Sequence, residues 1–220
     1  MSSKQPLNIF LLGPSGSGKG TQARLLAKDK NLFHINTGGD LRVMAQEKTP
    51  LGQKVKKIID NGYLAPSWLV FYSWFRKVAE LPVAHGVIFE GAPREINEAK
   101  RMDEVFSFLE RDKRVFIYLE VNLKEAQKRI LNRRLCAKCQ TEYSLLLMPG
   151  LTKCPKCGGK LIRRADDTEA AVVRRFAFFK KKVVPVINHY KKQKRLIVIN
   201  GDQSIDKVYK DIKLALNKFN

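Results

Sequence analysis

Short apolar runs alternate along this chain with stretches in which apolar residues recur every three or four positions. Asn8–Leu12, Phe33–Asn36, 87–89, 115–121 and 196–199 read as strands. The run 115–121 is the strongest, being rich in β-branched and aromatic residues. Between them, one helix begins near Lys19. Another covers 52–60, with Val55, Ile58 and Ile59 at helical spacing and Gly62 placed to end it. A third opens at Pro66 and Ser67, where Trp68, Phe71, Tyr72, Phe75 and Val78 form an apolar face that reads as core. Further helices are expected near Arg94 and after Asn122, which forms a capping box with Glu125. The acids Asp166, Asp167 and Glu169 suit another helix N-terminus, and Ser204 begins the last helix. Pro185 should kink or split its helical stretch. This alternation predicts an α/β fold with a mostly parallel sheet flanked by helices. Residues 136–162 break the pattern, carry Pro, Gly and every cysteine, and read as a small insert.

The turn after the first strand is the clearest chemical signal. Gly13-Pro14-Ser15-Gly16-Ser17-Gly18-Lys19-Gly20-Thr21 follows a strand and opens a helix, with the spacing of a P-loop. Glycines let backbone N–H groups curl around phosphate oxygens, the helix N-terminus adds partial positive charge, and Lys19 reaches the outer phosphates. The strict motif has Ser or Thr after the lysine. Here Gly20 stands there, and Thr21 is the next hydroxyl.

Composition narrows the class. The chain has 220 residues and 44% hydrophobic content, enough for one core with small inserts rather than a disordered chain. No apolar run approaches membrane-span length; 69–75 is far too short. Lys4 followed by the brief apolar run 9–12 makes a poor signal peptide, so a cytoplasmic protein is expected. The net charge of +21, from 42 basic and 21 acidic residues, attracts polyanions: nucleotides, nucleic acid or anionic lipid. Runs such as 180–182 and 191–195 fit a solvated lysine-rich surface equally well.

Cys136-x-x-Cys139 and Cys154-x-x-Cys157 have fourteen residues between them. Two such knuckles make a tetrahedral thiolate site for Zn²⁺, structural because protein fills all positions. Iron on the same thiolates is the chemical alternative, and a reducing cytoplasm disfavours disulfides.

Gly18-Lys19-Gly20-Thr21-Gln22 resembles the loop of adenylate kinases, and further segments resemble that family in order. Residues 36–42 resemble its Ser-Thr-Gly-Asp-x-Leu-Arg element. Residues 90–95 resemble its Asp-Gly-Phe-Pro-Arg-Thr. Arg129 to Arg134 resembles the arginines entering a mobile lid. Arg164-Ala165-Asp166-Asp167 with Arg174 and Arg175 resembles the segment leaving it. The resemblance covers nearly the whole chain. It implies a P-loop core of 1–36, 67–134 and 166–220, a small helical monophosphate-binding insert of 37–66, and a zinc-ribbon-like lid of 135–165.

The same resemblance implies reversible phosphoryl transfer from ATP to AMP with Mg²⁺. Lys19, Arg94, Arg133, Arg164 and Arg175 would be catalytic. ATP would meet Gly13, Ser15, Gly16, Ser17, Gly18, Lys19, Gly20, Thr21 and Arg133, with Arg129 stacked on its base. The acceptor would meet Thr37, Gly38, Arg42, Ala65, Gly91, Arg94, Glu98, Arg164 and Arg175. Glu90 and Thr21 would be associated with Mg²⁺, Glu90 standing where the family has an aspartate. A zinc knot in the lid also occurs in the family, which is mostly monomeric.

The chain departs from the family at Gly39, Ala92, Glu95 and Glu98. Glu98 replaces a glutamine that reads adenine. An ionised glutamate only accepts hydrogen bonds, and guanine offers donors on that edge, so GMP is an alternative acceptor. An exposed helical position would make Glu98 indifferent to the base. From another class, a nucleic-acid-associated P-loop and zinc-ribbon protein would also suit the charge and cysteines. The ordered arginines weigh against it, and against an inactive subunit. His34, His85 and His189 lie in no nucleophile motif and read as structural.

Overall fold

A computed structural model describes residues 6–219; Lys4 and the outermost ends of the expected core, 1–5 and 220, lie outside the described residues. The order is β1 (Asn8–Leu12), α1 (Lys19–Lys30), β2 (Phe33–Asn36), α2 (Thr37–Met44), α3 (Pro50–Asp60), α4 (Ser67–Ala79), β3 (Val87–Glu90), α5 (Ile96–Phe108) and β4 (Arg114–Glu120). It continues through α6 (Leu123–Leu131), β5 (Arg133–Cys136), β6 (Glu142–Ser144), β7 (Leu161–Ile162), α7 (Glu169–Phe178), α8 (Val184–Lys192), β8 (Leu196–Asn200) and α9 (Ile205–Leu216).

The main sheet is parallel throughout, in the order β2-β3-β1-β4-β8. β1 is central and buried along its whole length, as a parallel strand covered on both faces must be. Alternate residues feed two cores. Phe10, Phe89 and Phe116 stack across neighbouring strands, with Trp74 and Phe106 edge-on to the ladder. On the other face Ile9, Leu11, Ile88 and Ile117 meet Leu26 of α1 and Ile212 of α9. The order turns at β1, between β3 and β4, so a crevice opens beyond the C-terminal strand ends, where such sheets bind ligands.

Residues 136–162 form part of a second, antiparallel sheet, ordered β6-β5-β7. Its strands are short, and turns tied to cysteines set its shape more than a core does.

Three local expectations need correction, and a fourth holds. In α4, Trp68 is 57% and Tyr72 66% exposed, and Phe75 is also exposed, while Leu69, Val70, Trp74 and Val78 are buried. The helix is apolar nearly all round, so periodicity alone could not choose the inward face; Trp74 turns inward because its indole packs against Phe89 and Phe106. Asn122 caps α6 by accepting from Lys124 N, but no reciprocal box forms. Its own N–H donates to Asp202 and Glu125 pairs with Arg129. Asp166 and Asp167 do not serve the α7 terminus, which Thr168 caps through Ala171 N; both pair with arginines. Pro185 does split its helix: a π-helical turn, Phe179–Val183, precedes α8, whose first turn holds the proline.

Candidate active site

β1 ends at Leu12, and the chain turns through the glycine-rich loop into α1. Gly18 takes φ +93° at the start of α1 and has no side chain to cap it, so the first-turn N–H groups stay available to an anion. Gly16, at φ +82°, lies so close to α6 that a β-carbon would come within 2.4 Å of Ala126 O. Lys19 folds back over the loop. Its ammonium donates to Gly13 O at 2.8 Å, Pro14 O at 2.7 Å and Ser17 Oγ at 3.3 Å. Phosphate oxygens would take over these bonds. Burial draws the Lys19 pKa down from 10.5 to about 7; Glu90 opposes the fall, and Arg94, Arg175 and Arg133 add to it.

Glu90, at the end of β3, is 8% exposed and faces Gly20, where a β-carbon would lie 2.8 Å from Oε2. His34 Nε2 lies 3.7 Å from the other oxygen. Thr37 is fully buried, and its hydroxyl donates to Glu90 O at 3.4 Å, joining the start of α2 to β3.

A cleft of about 950 Å³ runs from the loop to the lid sheet. Gly13, Ser15 and Lys19 line it on the loop side, and Gly38, Arg42 and Ala65 on the side of α2 and α3. Gly91, Arg94, Arg164 and Arg175 complete the cationic wall. Gly16, Ser17, Gly18, Gly20 and Thr21 belong to the loop and first turn of α1 but do not line the cleft, and neither do Thr37, Glu90 or Glu98. Arg129 is turned elsewhere, donating to Glu125 at 2.9 Å and Gly201 O at 3.0 Å.

Lys19, Arg94, Arg133, Arg164 and Arg175 each have a carboxylate or carbonyl to hold them. Arg133 grips the fully buried Asp167 with two bonds, at 2.9 and 2.6 Å. Burial would lower the Arg133 pKa, but Asp167 outweighs it and raises it. Arg175 donates to Ser15 Oγ at 3.2 Å and Asp166 O at 3.0 Å. Arg164 is held by Asp166 and by Glu142. Arg94 Nε donates to Gly91 O. Burial, with Arg164 adding, lowers Arg42 to about 10, which leaves it cationic at neutral pH. Sequence reasoning missed Glu142, Asp166 and Asp167 as arginine partners. The acids beside Arg164 were in view, but nothing local marks Glu142.

Glu98, in the first turn of α5, is only 6% exposed, which excludes an exposed helical position. One carboxyl oxygen accepts from Arg94 N, and the other is buried without a partner.

The cysteines converge. Their four sulfurs lie within 4.8 Å of one another, with Cys136–Cys157 at 3.5 Å and Cys139–Cys154 at 3.6 Å. Thiolates 2.3 Å from one tetrahedral ion stand about 3.8 Å apart, so the group fits a metal ion. Cys139 N donates to Cys136 Sγ at 3.4 Å, and Tyr143 Oη lies 3.1 Å from Cys154 Sγ.

A P-loop on a parallel sheet, facing a second arginine-lined half of one cleft, defines a nucleoside monophosphate kinase. The family described as adenylate kinase matches residues 11–195. Relatives named adenylate kinase are found in Thermosipho africanus, 37% identical over 94% of this chain and 97% of that one, and in Methanothrix thermoacetophila, 36% identical over 97% and 100%. The chain belongs to the adenylate kinase family. Among the described residues, no helix is long and apolar enough to cross a membrane.

Proposed function

We propose that this chain transfers a phosphoryl group reversibly from MgATP to AMP, giving two ADP. The observation that carries the reading is the gathering of Lys19, Arg94, Arg164 and Arg175 on one cleft, with Arg133 close behind. Phosphoryl transfer asks for alignment and charge neutralisation rather than a strong general base. The loop N–H groups and Lys19 hold the triphosphate, with Arg133 beside it. Arg42 and Arg94 hold the monophosphate, with Thr37, Gly38, Ala65 and Gly91 shaping its bed. Arg164 and Arg175 meet the transferred group between them. Arg129 leaves Glu125 and Gly201 to stack on the donor base.

Mg²⁺ supplies charge neutralisation on the triphosphate; the buried Glu90 carboxylate and the Thr21 hydroxyl are the groups suited to order its waters. Zn²⁺ on Cys136, Cys139, Cys154 and Cys157 braces the lid, the four sulfurs suiting a tetrahedral ion. We take 37–66 and 135–165 as the parts that close and exclude water, the rest as core, and the protein as a cytoplasmic monomer.

Glu98 supports a second reading. A buried carboxyl with one unpartnered oxygen offers an acceptor to guanine when ionised, so GMP competes with AMP for the assignment. Initial rates with AMP, GMP, CMP and UMP at fixed MgATP decide between them, with AMP expected to lead. A protein that transfers phosphoryl to none, yet binds nucleic acid with steep salt dependence, would replace this reading altogether.

A further inference from the structure

Arg164 is held from two sides, and the two hands differ in origin. Asp166 lies two residues along the chain and takes Nε at 3.1 Å and Nη2 at 3.0 Å. It is shared, since Arg175 also approaches it at 3.4 Å. Glu142 comes from twenty-two residues away, on β6, and takes Nη1 at 2.9 Å. The Arg164 side chain is 7% exposed, and three of its nitrogens are engaged by these two carboxylates.

The lid sheet sets this pairing. Leu135 of β5 faces Glu142 on one side and Ile162, two residues before Arg164, on the other. The next residue of β5, Cys136, pairs with Leu161 and belongs to the sulfur group. One strand thus fixes how far Glu142 stands from the segment leading into Arg164. Burial would raise the Glu142 carboxyl, but Arg133, Arg164, Arg42 and Arg24 outweigh it and keep it below its ordinary range. It is ionised at neutral pH and lies amid cations from α1, α2 and both ends of the lid.

A guanidinium tied at one edge can still swing about that edge. A second carboxylate at Nη1 fixes its plane, and displacement of a reacting partner by about 1 Å can cost on the order of 10²-fold in rate. We propose that Glu142 is a positioning residue for phosphoryl transfer: carried by the lid sheet, it fixes the plane of the Arg164 guanidinium and acts only through it. This rests on the reading above that Arg164 meets the transferred group.

The test is a double-mutant cycle of Glu142→Gln, Arg164→Lys and both, with kcat, KM for each nucleotide and the melting temperature measured throughout. Glu142→Gln should lower kcat roughly tenfold, since the guanidinium acts chiefly in the transition state, and change either KM by less than about twofold. In the Arg164→Lys background it should add nothing. Wild-type kcat in Glu142→Gln overturns the proposal, and so does the same tenfold loss in both backgrounds. If Glu142→Gln melts early, Glu142→Asp, which keeps the charge and shortens the reach, takes its place in the cycle under the same criteria. Full activity in Arg164→Lys alone overturns it through its premise. A wild-type protein that phosphorylates no monophosphate defeats instead the function proposed above.

Discussion

The carboxylate of Glu90 sits over the α-carbon of Gly20: a β-carbon there would lie 2.8 Å from Oε2 and 3.5 Å from Oε1. A side chain at 20, where the strict P-loop motif has Ser or Thr, would crowd that carboxylate. Glu90 has little room to give, being buried with His34 on its other side. Gly20→Ser should therefore displace Glu90 and destabilise the protein by about 1–2 kcal/mol, with a larger loss of activity. Glu90→Asp should restore room, so the double variant should melt higher and turn over faster than Gly20→Ser alone. Thermal melts and kcat/KM of the three variants check this; additive losses would disprove the coupling.

Lys19 should make nucleotide binding depend on pH. Its folded-state pKa of about 7 lies below the ordinary 10.5, chiefly through burial. Below pH 7 folded and unfolded chains both hold the proton. Between about 7 and 10.5 the unfolded chain holds it and the folded one does not, so this lysine makes the empty protein more stable as pH rises through that window. A triphosphate favours the ammonium again. Binding MgATP at pH 8 should take up a proton, visible as a dependence of binding heat on buffer ionisation enthalpy. Lys19→Met should remove that dependence; equal uptake in the variant would refute the assignment.

Asp167 has no exposed surface and holds Arg133 through two hydrogen bonds. Its backbone carbonyl also accepts from Arg163 Nε at 2.8 Å. Removing one partner of a buried pair leaves the other charge uncompensated, at a cost of roughly 3–5 kcal/mol. Asp167→Asn should lose about that much in denaturant unfolding, and kcat should fall because Arg133 is no longer oriented. A loss below about 1 kcal/mol would mean that water or Asp166 replaces the pair.

Metal removal should act on the lid before the core. The three lid strands are short, the longest having four residues, and the cysteines tie their turns together. The apolar ladder of the main sheet has no such dependence. Chelation, or Cys154→Ser, should release zinc at one ion per chain. It should also abolish hydrogen-exchange protection in β5–β7 while β1 and β4 keep theirs. Unchanged protection in the lid strands after stripping would show that the metal is not what braces them.

The strands, the glycine loop and the cysteine knuckles were legible because their signals are local: a short apolar run, a spacing, a pair of thiols. The inward face of α4 was not, since Trp68, Tyr72 and Trp74 are equally apolar in sequence and only the ring packing on Phe89 selects one. The partners of Arg133 and Arg164 were not either. Asp167 and Glu142 lie thirty-four and twenty-two residues away, and for Glu142 it is the pairing of β5 with β6 and β7 that sets its place. Glu90 and Gly20 were each visible as departures, from the family's aspartate and from the strict loop motif, but their close approach needed the distance between β3 and α1.

Glu98 offers the sharpest test of the acceptor. Its carboxyl lies in the first turn of α5, with one oxygen accepting from Arg94 N and the other buried and unpartnered. Burial pushes its pKa up from 4.5, against the hydrogen bond and charge of Arg94. The folded protein thus holds this proton at pH values where the unfolded chain has lost it. Ionisation costs stability as pH rises from 4.5 toward the folded value. In the acceptor site proposed above, the free oxygen while protonated would donate to adenine N1, as a glutamine amide would. Once ionised, it can only accept, which suits the N1–H and amino group of guanine. The ratio of AMP to GMP turnover should therefore fall as pH is raised through this titration, by roughly tenfold for one exchanged hydrogen bond of about 1.4 kcal/mol. Glu98→Gln should raise the ratio and flatten its pH profile. A ratio that ignores both pH and the substitution would remove Glu98 from base recognition.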